Sequence, residues 1–89
     1  MTRILIIDSW IPAPDQDSGS MDTFLTMKAL VELGYDITFI PKDLKAKQKY
    51  VQLLENEGVR YPDLSKAAIS IEEFLKVAGH YFDLVMLYR

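Results

Sequence analysis

The chain has 89 residues, 49% apolar and 26% charged, with ten basic against thirteen acidic side chains for a net charge of −3 at neutral pH. That allows one small globular domain. The absence of cysteine excludes disulfide frameworks, thiol catalysis and cysteine-bound zinc, and the acidic balance argues against a general affinity for nucleic acid or acidic membranes. The apolar stretch at 4–7 is too short for a secretory signal, and no run approaches the ~20 residues of a membrane span, so a cytoplasmic location is expected.

Arg3–Asp8 reads R-I-L-I-I-D, a run of aliphatics without alternation, which predicts a strand buried on both faces of a parallel sheet. Residues 9–18 hold two prolines and no helical period. The apolar spacing over 20–33 then predicts a helix that Gly34 closes in a left-handed cap. Residues 35–40, Y-D-I-T-F-I, form a second strand stopped by Pro41. Asp43 is placed to cap a helix over 44–57, with Leu44, Tyr50, Leu53 and Leu54 inward and Gly58 closing it. A short third strand follows at 59–61. Ser70-Ile71-Glu72-Glu73 is a capping box, with Ile69 and Phe74 spaced as its hydrophobic staple, and predicts a helix to about Ala78 capped by Gly79. Residues 83–88, D-L-V-M-L-Y, form a fourth strand.

The order β-α-β-α-β-α-β implies a Rossmann-like three-layer α/β/α domain with a four-stranded parallel sheet. Strand order 3-2-1-4 is expected, and a flavodoxin-like order also fits the pattern. The expected core is Ile4, Ile6, Leu25, Leu30, Ile37, Phe39, Leu53, Phe74, Val85 and Leu87. Strand 83–88 is expected to be an exposed apolar edge that invites weak dimerisation.

Ten residues separate Asp8 from Gly19, against about 2–6 in most βα connections. They leave the carboxyl end of the first strand, where open α/β sheets bind ligands. Of the four glycines, only Gly19 precedes a helix. Ser18-Gly19-Ser20 joins a flexible backbone to free helix amides and two hydroxyls, which suits a phosphate or other anion and equally suits a plain N-cap. There is no G-x-G-x-x-G for a standard dinucleotide. Asp8 ends its strand where it can meet a ligand or bond to loop amides. Trp10 is either a packing anchor or a stacking platform for a sugar or base. Asp15-Gln16-Asp17 resembles a metal pair. A calcium loop counted from Asp15 would need glycine and glutamate where Ser20 and Thr26 stand, and no metal is expected. His80, the only histidine, falls in a turn at the opposite end of the sheet, and Lys42, Lys45, Lys47 and Lys49 read as a solvated face.

In the order of these segments the chain resembles the start of a family 4 (group 1) glycosyltransferase of GT-B fold. R-I-L-I-I-D resembles that family's first strand, and the proline-bearing loop into D-S-G-S resembles its glycine loop. A-L-V-E-L-G-Y-D-I-T-F-I resembles its first helix, glycine turn and second strand. S-I-E-E-F-L and F-D-L-V-M-L resemble the helix and strand before its next active-site loop. The family's paired glycines are here the single Gly19, and the histidine common after the helix-ending glycine is Tyr35.

The resemblance implies that the chain is the first half of the N-terminal, acceptor-side domain of an enzyme with two facing Rossmann-like domains. Such an enzyme moves a sugar from a nucleotide-sugar donor to a glycan or lipid acceptor without a bound metal or other cofactor. It implies that Ser18, Gly19 and Ser20 approach the donor phosphates; Asp8 and Trp10 are candidate ligand contacts by their place at and after the end of the first strand. The fragment alone is expected to be inactive and to hold no catalytic residue. Two other classes stay open. One is a non-catalytic protein-interaction module. The other is a degenerate receiver domain, which would need an acid at Ser9 and an aspartate at Tyr88.

Overall fold

The computed structural model describes residues 2–13, 18–43 and 47–88. Because 4–7 are all aliphatic, the first strand has no face that tolerates water, and it takes the middle of the sheet. β1 (Arg3–Asp8) lies between β2 (Asp36–Pro41) and β3 (Leu84–Leu87), parallel to both, in a three-stranded open α/β sheet of order β2-β1-β3. Ile4 pairs with Ile37 on one side and Leu84 on the other, and Ile7 with Ile40 and Leu87. Between the strands run α1 (Ser18–Glu32), α2 (Gln48–Asn56), α3 (Leu64–Ala67) and α4 (Ile71–Ala78), the last continued by a 3-10 turn over Gly79–Tyr81. No helix among the described residues is long and apolar enough to cross a membrane.

The expected strand at 59–61 is a single parallel bridge. Arg60 donates its N–H to Ile37 O at 2.8 Å and accepts from Phe39 N at 2.9 Å, opposite Thr38. Pro62 has no N–H to offer, and the chain turns away into α3.

The period of two along β1 divides the core between the faces of the sheet. On one face Ile4, Ile6, Ile37 and Phe39 meet Met27 of α1, Tyr50, Val51 and Leu54 of α2, and Val59. On the other, Leu5, Ile7 and Ile40 meet Leu64 of α3, with Ile71, Phe74, Leu75 and Phe82 packed around them. Four residues of the expected core are instead exposed: Leu25, Leu53, Val85 and Leu87. In α1 the inward stripe is Ser20, Thr23 and Met27, flanked by the half-buried Phe24, Leu30 and Val31, so Leu25 points away. In α2 the stripe is Tyr50, Val51 and Leu54, which turns Leu53 outward. Val85 and Leu87 share the face of Leu5 and Ile7, but the helical cover there extends over β1 and β2 rather than β3.

Helix ends follow local chemistry. Gly34 (φ 96°) donates to Val31 O and Tyr35 to Leu30 O, a Schellman closure that needs the left-handed region. Gly58 (φ 87°) and Val59 repeat it on Glu55 and Leu54. The short α3 was not apparent from apolar spacing. Asp63 caps it by accepting from Lys66 N at 3.0 Å, and Ala68, at φ 56°, closes it. Ser70 accepts from Glu73 N at 3.1 Å and donates its hydroxyl to Glu73 Oε1 at 3.4 Å, which starts α4 at the expected place. Gly79 is not a left-handed cap. It is right-handed helical at φ −57° and leads into the 3-10 turn. The helix expected over 44–57 is described from Gln48; its cap position is Lys47, which makes no side-chain capping bond, rather than Asp43, and the expected inward Leu44 lies outside the described residues.

Candidate ligand edge of the sheet

The connection from β1 runs through α1 on one face to β2. The connection from β2 runs first through α2 on the face of α1 and then through α3 and α4 on the other face to β3, on the far side of β1. β1 is thus where the direction of winding reverses, and the carboxyl ends of β1 and β3 bound the crevice that such a reversal creates. Asp8 stands there, fully buried. Its carbonyl accepts from Lys42 N at 2.7 Å, and its carboxylate Oδ1 accepts from Ser9 N at 2.6 Å. Ser9 O accepts from Asp43 N at 3.3 Å, which ties the start of the loop to the turn after β2. Of the two readings of Asp8, this geometry shows the bond to a loop amide. The carboxylate is turned onto a loop amide, and the residue sits at the carboxyl end of β1.

Trp10 is half-exposed on this edge, while the neighbouring Ile11 and Pro12 are buried and fasten the loop to the core. The loop therefore leaves the sheet on an apolar anchor, with Trp10 45% exposed. Asp15 and Asp17, the D-x-D pair, lie outside the described residues, as does Lys45. The chain resumes at Ser18, the first residue of α1. Because α1 runs antiparallel to the strands it connects, its first turn belongs to the same carboxyl edge. Gly19 is exposed there and Ser20 is fully buried. The side chain of Ser18 is not among those described.

Thr23, beside this edge, is a residue that apolar spacing did not reveal. It is buried one turn into α1 and donates its hydroxyl to Gly19 O at 3.2 Å. Two small polar residues, Ser20 and Thr23, thus form the inward stripe of the first turns. The signal available in the sequence was their i, i+3 spacing onto Met27. Backbone amides of a helix N-terminus and a glycine without a side chain are suited to an anion, whereas a carboxylate repels one and is suited to orienting a hydroxyl. They form no acid–base pair or nucleophile–base pair. No group of three or more metal-ligating side chains occurs among the described residues.

A second concavity lies away from Asp8. It is a shallow cavity of about 570 Å³ whose lining includes Thr38, Arg60, Tyr61, Phe74, Tyr81 and Phe82. Arg60 Nε donates to Asp36 Oδ1 at 2.8 Å, and this bond, reinforced by the Asp36 charge, holds the guanidinium above its ordinary pKa. The Arg3 guanidinium stacks 4.2 Å from the centroid of Tyr81, and Arg3 N donates to Asp83 Oδ2 at 2.8 Å. Burial, then Asp63 and Asp43, raise the Tyr61 phenol above its usual value. His80 is exposed in the 3-10 turn, apart from the carboxyl edge. No family model, no curated protein and no solved structure matches this chain.

Proposed function

We propose that this chain is the opening part of the acceptor-side domain of a family 4 glycosyltransferase, and that its carboxyl edge meets a nucleotide-sugar donor and a glycan or lipid acceptor in the cytoplasm. One observation carries the reading of that edge as a ligand site. The winding reverses at β1, whose last residue, Asp8, is fully buried beside an extended connection into α1. The class of ligand is taken from the resemblance of the segments in order. On this reading the bridge at Arg60 marks the outer strand of a Rossmann-like order 3-2-1-4, counting segment 59–61 as the third strand.

Gly19 lets a diphosphate approach the backbone of the first helical turn, and Ser18 and Ser20 add hydroxyl donors. Asp8 keeps the loop amides in place, and Trp10 offers a face on which a sugar or base stacks. Transfer requires donor and acceptor held together while charge on the leaving phosphate is stabilised. In the family the resemblance points to, the second domain holds the donor through a glutamate-x7-glutamate element; no two glutamates in these 89 residues have that spacing, and the chain alone is not expected to catalyse transfer.

The experiment is to substitute Gly19→Val in the full-length gene product and measure transfer from a panel of nucleotide sugars. A side chain there lowers kcat/KM by about tenfold or more, a loss of at least ~1.4 kcal/mol of transition-state stabilisation. Unchanged kinetics in a folded variant would reduce Gly19 to a helix-start residue. A gene product with no transferase activity would favour the non-catalytic interaction module, for which the uncovered β3 is the supporting observation.

A further inference from the structure

The cavity beside Arg60 follows from how the pairing along β2 ends. Arg60 makes a single bridge to Thr38, Pro62 stops the ladder, and the chain turns into the four-residue α3. α3 and α4 pack on Leu5, Ile7 and Ile40. Thr38 lies on that same face, in register with Leu5, but it lines the cavity of about 570 Å³ between α4 and the segment 60–62. Thr38 is only 6% exposed, yet its hydroxyl makes no hydrogen bond among the described residues. No side-chain oxygen or nitrogen fully shut off from solvent lacks a partner among those residues. The Thr38 hydroxyl therefore opens into the cavity, a polar group on an otherwise buried residue with nothing yet to bond.

The wall facing it is aromatic, and its rings hold one another in place. Phe74 and Phe82 have ring centroids 6.2 Å apart, Phe82 and Tyr81 stack at 5.3 Å, and the Arg3 guanidinium fixes Tyr81. The lining residues bring one charge of each sign, Glu55 and Arg60, and the Arg60 guanidinium is already engaged by Asp36. Neither an anion nor a cation is favoured by that balance. The cavity falls within the ~300–1,000 Å³ of small-molecule sites, which are likewise mostly apolar with a few placed polar groups. We infer that it binds an uncharged aromatic molecule bearing a hydroxyl, with the ring against the aromatic wall and the hydroxyl bonded to Thr38 Oγ1. A threonine hydroxyl both donates and accepts, and so matches a phenolic one in either direction. The inference rests on this cavity alone and is independent of the glycosyltransferase reading.

The test follows amide shifts of the isotopically labelled chain during titration with phenol, with cyclohexanol and benzoate for comparison. Phenol gives saturable shifts at Thr38, Arg60, Tyr61 and Phe82. Cyclohexanol, which has the hydroxyl without the flat ring, and benzoate, which is charged, bind several-fold more weakly. Thr38→Val keeps the shape of the side chain and removes its hydroxyl, which weakens phenol binding roughly two- to tenfold. Its Tm stays at or above that of the wild type, because the hydroxyl bonds nothing in the free protein. Thr38→Ser retains the hydroxyl and retains binding. Absence of saturable shifts at these residues overturns the inference. So does cyclohexanol or benzoate binding as tightly as phenol, or a Thr38→Val chain that binds phenol like the wild type.

Discussion

Leu53 and Leu54 are neighbours in sequence and opposites in structure, and truncating each in turn tests the packing of α2. Leu54 is 1% exposed in the cluster with Phe39, Met27 and Val59, whereas Leu53 is 41% exposed. Leu54→Ala removes a buried side chain and leaves a cavity that neighbouring helix and sheet cannot fully close, a loss of about 3 kcal/mol. A domain of this length has a total stability of roughly 4–13 kcal/mol, so that loss is a large share of it. At ~4–8 °C per kcal/mol it lowers Tm by about 12–24 °C. Leu53→Ala gives up only part of a burial term worth about 1.5–3 kcal/mol, and alanine returns a little through helix propensity, for a net loss of about 1 kcal/mol or less. Thermal and urea unfolding followed by far-ultraviolet circular dichroism reads both. Equal losses for the two variants, or a larger one for Leu53→Ala, would refute the assigned face of α2 and with it the packing of one side of the sheet.

Gly58→Ala is expected to destabilise more than Gly34→Ala in the same unfolding assay. Both glycines have positive φ, but a Cβ on Gly58 would sit 3.1 Å from Val31 Cγ1, whereas one on Gly34 meets nothing within 4 Å. Ser70→Ala removes the cap of α4 and costs about 1 kcal/mol, with the loss readable as a lower urea midpoint. Tyr61 holds its proton above the ordinary tyrosine value of 10.0, so the unfolded chain ionises first. The contribution is intact below about pH 10 and declines as pH rises through the folded value, and Tyr61→Phe is expected to remove that part of the alkaline loss of stability.

Legibility followed the strength of the local signal. β1 and β2 were readable because uninterrupted aliphatics fit only a strand covered on both faces. The start of α4 was readable because Ser70 and Glu73 satisfy one another's neighbourhood without help from tertiary structure. Segment 59–61 has strand-forming residues, yet it pairs only at Arg60, since Pro62 ends the ladder before it extends. α3 is too short for apolar period to show, and Asp63 three residues before Lys66 was its only cue. Helix rotation was the least legible feature. Leu25 and Leu53 fit the apolar stripe by spacing, while the inward positions went to Ser20 and Thr23 in α1 and to Val51 in α2. Whether Val85 and Leu87 are covered depends on what lies over β3, which their own sequence does not encode. At the carboxyl edge, Asp8 was legible as a strand end, whereas α1 begins at Ser18 rather than the expected Ser20, so Gly19 lies in its first turn and does not precede it. Thr23 was not legible, because a buried threonine bonded to Gly19 O leaves no apolar trace.

On the proposed reading, the carboxyl edge of β1 receives a nucleotide sugar and the cavity near Arg60 does not. Amide chemical shifts of the isotopically labelled chain, followed during titration with nucleoside diphosphates and nucleotide sugars, test it most directly. Weak, saturable shifts are expected at Ser9, Trp10, Gly19 and Ser20, with Arg60, Tyr81 and Phe82 unmoved. Shifts confined to Arg60, Tyr81 and Phe82, or no shift at Gly19 and Ser20 with any nucleotide, would contradict it.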